Sequence, residues 1–104
     1  MPHAILLLVI TLLLGFNSAQ ARVVLPMSPM EWGMDRGGAD YKVFDLPGDN
    51  PSLCLNACAR DSRCMAWTYV KPNTIQGPRP RCWLKQAVPP PSRNPACVSG
   101  YKLR

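Results

Sequence analysis

Five cysteines are the residues of this 104-residue chain best equipped to do chemistry. Three are crowded together as Cys54-x3-Cys58-x5-Cys64, and Cys82 and Cys97 follow singly. Thiols in such a pattern could ligate a metal, act as nucleophiles or join as disulfides. An all-thiolate zinc site uses paired short knuckles, which these gaps lack, so no metal is expected. Nucleophilic catalysis usually draws on a histidine base, and the single histidine, His3, falls in an apolar leader. Carboxylates such as Asp35 and Asp40 lie near glycines, where turn roles account for them. Neither an enzyme activity nor a cofactor is expected, and disulfides are the remaining chemistry.

The leader supports that reading through compartment. Ala4 to Phe16 is an almost unbroken apolar run, and Asn17-Ser18-Ala19-Gln20-Ala21 follows with small residues in an A-x-A arrangement. A run of thirteen residues is shorter than the about 20 that a membrane-spanning helix requires. Residues 1–21 are therefore expected to be a cleavable signal peptide, placing the product in a secreted or periplasmic setting where disulfides persist. No membrane span is expected after cleavage. The remaining 83 residues suffice for one thin domain, and a domain of that size needs covalent support.

The elements that would hold the cysteines can be read along the chain. Residues 22–33 carry prolines and methionines without a period and are expected to form an extended arm, leaving 34–104 as the domain. Tyr41 to Leu46 has the aromatic and β-branched character of a short strand. Asn50-Pro51 places a capping residue directly before proline at the first helical position, and a helix is expected from Pro51 to about Arg60. Cys64 to Val70 alternates as a strand, with Met65, Trp67 and Tyr69 on one side and Ala66, Thr68 and Val70 on the other. Lys71 to Pro80 is a loop, Arg81 to Lys85 a second strand, Pro89-Pro90-Pro91 a stiff polyproline segment, and Val98 to Lys102 a closing strand. The fold class is α+β, one helix on a small antiparallel sheet.

Helix geometry constrains the bridges. Side chains four apart point in parallel, so Cys54 and Cys58 should reach different partners. Cys58 is placed to meet Cys64 across a short turn. Cys54 would then cross to Cys82 or to Cys97, and one thiol remains over in either case. An odd cysteine in an exported chain could join a partner or a second copy covalently.

Charge is distributed unevenly. Arg22 to Asp61 holds six acids and four bases, whereas Ser62 to Arg104 holds eight bases and no acid. A basic half points to an anionic partner, an acidic glycan for instance, unless the two halves interleave in space. Arg79, Arg81, Lys85 and Arg93 are the candidate contacts, each of which could equally be a solvated surface charge. Trp67 and Trp83 could stack on sugar rings or fill the core. No nucleic-acid motif is present.

The string Leu53-Cys54-x3-Cys58-Ala59-Arg60-Asp61-x-Arg63-Cys64-Met65-Ala66-Trp67-Thr68-Tyr69, with Cys82-Trp83-Leu84-Lys85 and then Val98-Ser99-Gly100, resembles the PAN/apple domain family. Gly38-Ala39-Asp40-Tyr41-x-x-Phe44 is similar to the family's first strand, and the resemblance extends from about Met34 to Lys102. It implies a helix cradled by a curved antiparallel sheet and stapled by two bridges, Cys54 to Cys82 and Cys58 to Cys64. Apple modules join their two ends by a further bridge. No cysteine lies between Arg22 and Leu53, so the two-bridge PAN form is the closer match and Cys97 is expected unpaired. The resemblance further implies a non-catalytic module that binds a protein or carbohydrate outside the cell or in its envelope. A disulfide-linked dimer or partner through Cys97 is the alternative.

Overall fold

The computed structural model describes residues 25–104, so the expected signal peptide, 1–21, lies outside the described residues. The helix forms where its cap dictates. α1 spans Pro51–Arg60, with Pro51 in its first turn, and the Asn50 side chain accepts a hydrogen bond from the Ser52 N–H at 2.9 Å. At the other end Asp61 leaves helical geometry while its N–H still reaches the Cys58 carbonyl.

Five strands surround this helix in sequence: β1 Glu31–Asp35, β2 Asp40–Asp45, β3 Ala66–Val70, β4 Arg81–Lys85 and β5 Ser92–Tyr101. They form one antiparallel sheet in the order β1-β5-β3-β4-β2. α1 packs on β3 and β4, which makes the architecture α+β.

β3 is the central strand and every one of its residues is buried. Its alternation still sorts the two faces. Trp67 and Tyr69 join Cys82, Leu84, Val98 and the helix cysteines in one apolar cluster. Thr68 turns to the far face, where its hydroxyl lies 2.8 Å from that of Ser99. That far face is covered by polar groups. Arg36, 8% exposed, takes Glu31 bidentately at 2.7 Å for both contacts and donates to the Pro89 carbonyl. Its own backbone N–H points to Thr68 Oγ1 at 3.4 Å, so the β1–β2 connection is held down over the sheet.

The helix side is closed covalently. Cys54 is bonded to Cys82 and Cys58 to Cys64, with Cα separations of 5.3 and 5.2 Å. Cys97 is left as a free, buried thiol. Trp67 lies against Gly100, its cross-strand partner. A Cβ at position 100 would stand 2.6 Å from Trp67 Nε1, so only glycine admits the indole there.

Two elements differ from expectation. The segment expected to be an arm ends in β1, Met27 bridges Lys102 just past β5, and the Ser28 N–H donates to the Tyr101 carbonyl at the end of β5 at 2.8 Å. β5 begins six residues earlier than expected, at Ser92, and contains Pro95. The pairing explains how a proline is tolerated. Trp32 faces Val98 but Met34 faces Arg93, so β5 bulges opposite Gly33 and Pro95 owes no ladder hydrogen bond there. Gly33 takes a φ of +73°, which lets β1 follow the irregularity.

Candidate binding site

The fold disperses the six residues that composition and spacing single out as ligand contacts. Trp67 is fully buried beneath Gly100 and belongs to the core. Lys85, 2% exposed, donates to Asp40 Oδ1 at 2.5 Å and to the Gly38 carbonyl at 3.3 Å. Arg81 faces Asp45 at 3.4 Å. Arg79 and Arg93 are exposed and form no ion pair among the described residues, yet Arg79 precedes β4 and Arg93 lies in β5, with β3 between those strands. Trp83 is half-buried, its indole N–H donating to Gln76 Oε1 at 2.8 Å. Trp83 and Lys85 alone come together, on the far face of β4, where both line a cleft of about 160 Å³.

Lys85–Asp40 and Arg81–Asp45 each join a base of the second half to an acid of the first. The two halves interleave, and charge counted along the chain misstates where free cations stand. Three exposed cations gather instead at the C-terminal end of α1. Lys42 and Arg60 line a groove with Phe44, Ala57, Asp61, Ser62 and Leu84, and Arg63 follows directly on Ser62, its guanidinium 4.4 Å from the centre of the Tyr41 ring, whose hydroxyl is bonded to Asp61. Lys42 Nζ lies 5.6 Å from the centre of the Phe44 ring. None of the three has an ion-pair partner among the described residues.

The acid of this groove, Asp61, is satisfied by other donors. Tyr41 Oη donates to its Oδ2 at 2.7 Å and the Arg63 N–H to its Oδ1 at 3.0 Å. The Tyr41 hydrogen bond, then that of Arg63, holds the Asp61 carboxyl below its usual range, with the charges of Lys42 and Arg63 adding to the effect. Burial, then the bond to Asp61, pushes the Tyr41 phenol up, so the donor keeps its proton. The groove thus offers cations backed by aromatic rings around a carboxylate whose oxygens already accept hydrogen bonds. Sequence reasoning missed it because Lys42 and Arg60 lie in the half with excess acid. The available signal was Arg60-x-x-Arg63 straddling the helix end.

Cys97 has the opposite character. It is 1% exposed, and burial first, then the Asp35 carboxylate, pushes its thiol up to about 11. A buried thiol that stays protonated at neutral pH is a poor nucleophile, so the structure gives no support to covalent linkage through it. Trp32, not singled out from sequence, is the most exposed tryptophan at 63%.

Residues 34–85, half of the chain, match the family model for the PAN domain. The chain belongs to the PAN domain family. No curated protein matches it. Both bridges tie positions inside the matched span, which fits a PAN-type core, and PAN domains are in general non-catalytic modules that bind proteins or carbohydrates. No helix among the described residues is long and apolar enough to cross a membrane.

Proposed function

We propose that this PAN domain is an exported, non-catalytic binding module that engages an anionic partner, an acidic glycan in the first place, through the groove of Lys42, Arg60 and Arg63. The observation that carries the reading is that these three cations share one exposed end of the molecule and form no ion pair among the described residues, the Asp61 carboxylate beside them being hydrogen-bonded by Tyr41 and the Arg63 N–H, while Lys85 and Arg81 are each paired with an acid. Two disulfides and the family's habit of acting outside the cytoplasm support export. Phe44 and Leu84 give the groove an apolar floor against which a sugar or peptide backbone can lie.

Heparin affinity at low salt tests this directly. The wild-type chain is expected to be retained and to elute as salt screens the contacts. The triple variant Lys42→Gln, Arg60→Gln, Arg63→Gln should elute at clearly lower salt, while the control Arg79→Gln, Arg93→Gln elutes close to wild type. If the wild-type chain flows through, the anionic-partner reading is abandoned. If the control loses as much retention as the triple variant, the charge of the whole molecule, not this groove, is responsible.

A further inference from the structure

The cleft on the far face has a different chemistry from the rest of this basic protein. It is walled by Val70, Ile75 and Trp83 and carries the carboxylates of Asp35 and Asp40 together with Lys85. Two carboxylates against one ammonium leave it one negative charge in a chain of formal charge +6. Lys85 serves Asp40 at 2.5 Å. The other nearby ammonium, Lys71, is held by the Pro95 carbonyl at 2.9 Å. Asp35 is left without an ion-pair partner among the described residues.

A second feature is a buried thiol. The Cys97 thiol lines the same cleft at 1% exposure and donates no hydrogen bond to another described residue. Its proton is retained in part because the Asp35 charge is felt there. At about 160 Å³ the cleft is smaller than drug-sized pockets, with room for roughly five waters at liquid volume. A single small group fits, not an oligosaccharide. The bond from Trp83 Nε1 to Gln76 fixes the indole as a wall, and an aromatic face beside a carboxylate suits a cation. The cleft already seats one ammonium, that of Lys85, against its other acid.

We infer that this cleft is a binding site for the alkylammonium end of a lysine-like group, which pairs with Asp35 and packs its methylenes along Trp83 and Ile75. The site is separate from the cationic groove and does not depend on the anionic-partner reading. Its ligand is either the side chain of a partner protein or a free amine.

Titration of the 15N-labelled secreted chain with Nα-acetyl-lysine N-methylamide, followed by amide and indole chemical shifts, tests the inference. Saturable shifts are expected at Asp35, Gly37, Gln76 and the Trp83 indole. The Nε-acetylated form of the same probe should bind at least tenfold more weakly, and so should the parent probe to Asp35→Asn, whose otherwise unchanged spectrum reports an intact fold. A lysine-containing hexapeptide binding at least tenfold more tightly than the single residue assigns the ligand to a protein partner, and equal affinity assigns it to a free amine. Equal shifts from the acetylated and free probes overturn the inference, as does a response to methyl galactoside with none to the amine. Wild-type shifts confined to other residues overturn it too, whatever the variant does.

Discussion

The two faces of the sheet are built on different principles. On the helix side, Trp67, Tyr69, Cys82, Leu84 and Val98 interlock with α1, and both disulfides close the packing. On the far side the same strands present Thr68, Ser99, Lys85 and Cys97, covered by Arg36 and its connection. The first face is dry and covalently fixed. The second is held by hydrogen bonds and ion pairs, and it retains the cleft. Apolar packing tolerates no spare volume, whereas polar cover must place each group by direction and so leaves gaps. The two proposed binding sites accordingly lie away from the stapled core, on the far face and at the outer end of the helix.

The contrast breaks most severely if the staple is removed. Replacing Cys54 and Cys82 together by alanine opens a loop spanning 28 positions, and the chain-entropy relation gives a loss of about 3.6 kcal/mol. Urea denaturation should show a much lower midpoint than for the matching Cys58→Ala, Cys64→Ala variant, whose loop spans 6 positions and whose loss is about 2.2 kcal/mol. Equal losses would mean that local packing, not loop closure, sets the contribution of each bridge.

A smaller change tests how tightly the dry face is filled. Gly100→Ala forces a methyl to 2.6 Å from the Trp67 indole nitrogen, an overpacking expected to cost about 2 kcal/mol. Trp67→Phe in the same chain removes the clashing atoms, so the double variant should lose less than the two single losses summed. Strict additivity in thermal melts would show that the two residues do not press on each other.

What sequence makes visible follows the same division. The helix, its Asn50 cap and its bridged cysteines are legible because each rests on short-range spacing: a cap before proline, two thiols one turn apart, a third just past the turn. Whether Cys54 takes Cys82 or Cys97 is a tertiary matter, settled because Cys82 faces the helix from β4 whereas Cys97 turns to the far face. β1 is hidden because Gly33 interrupts it, and it exists through backbone pairing with β5. The candidate contacts scatter because the partners of Lys85 and Arg81 lie 45 and 36 positions away, so no local pattern tells which cations are neutralised. Alternation along β4 does place Trp83 and Lys85 on one face, and that much of the cleft could be read from the chain.

The far face also carries a titratable thiol, whereas the four cysteines of the helix side are bridged and do not titrate. In the folded chain Cys97 holds its proton to about 11, against an ordinary value of 9.0, because burial and the Asp35 charge both disfavour the thiolate. Between these values the unfolded chain has lost the proton that the folded chain still binds, so stability falls as pH rises. The contribution is complete below pH 9 and is lost as pH passes through about 11. At pH 10, one unit above the ordinary value, the loss relative to neutral pH is about 1.4 kcal/mol. Tyr69, raised by burial, adds a decline of the same sign, as does Tyr41. The informative quantity is therefore the difference between wild type and Cys97→Ala, measured as urea midpoints at pH 8 and pH 10. The variant should decline less over that interval, whatever its absolute stability. Parallel declines would show that the thiol ionises as freely in the folded chain as in the unfolded one, and the far face would then be open to water at Cys97.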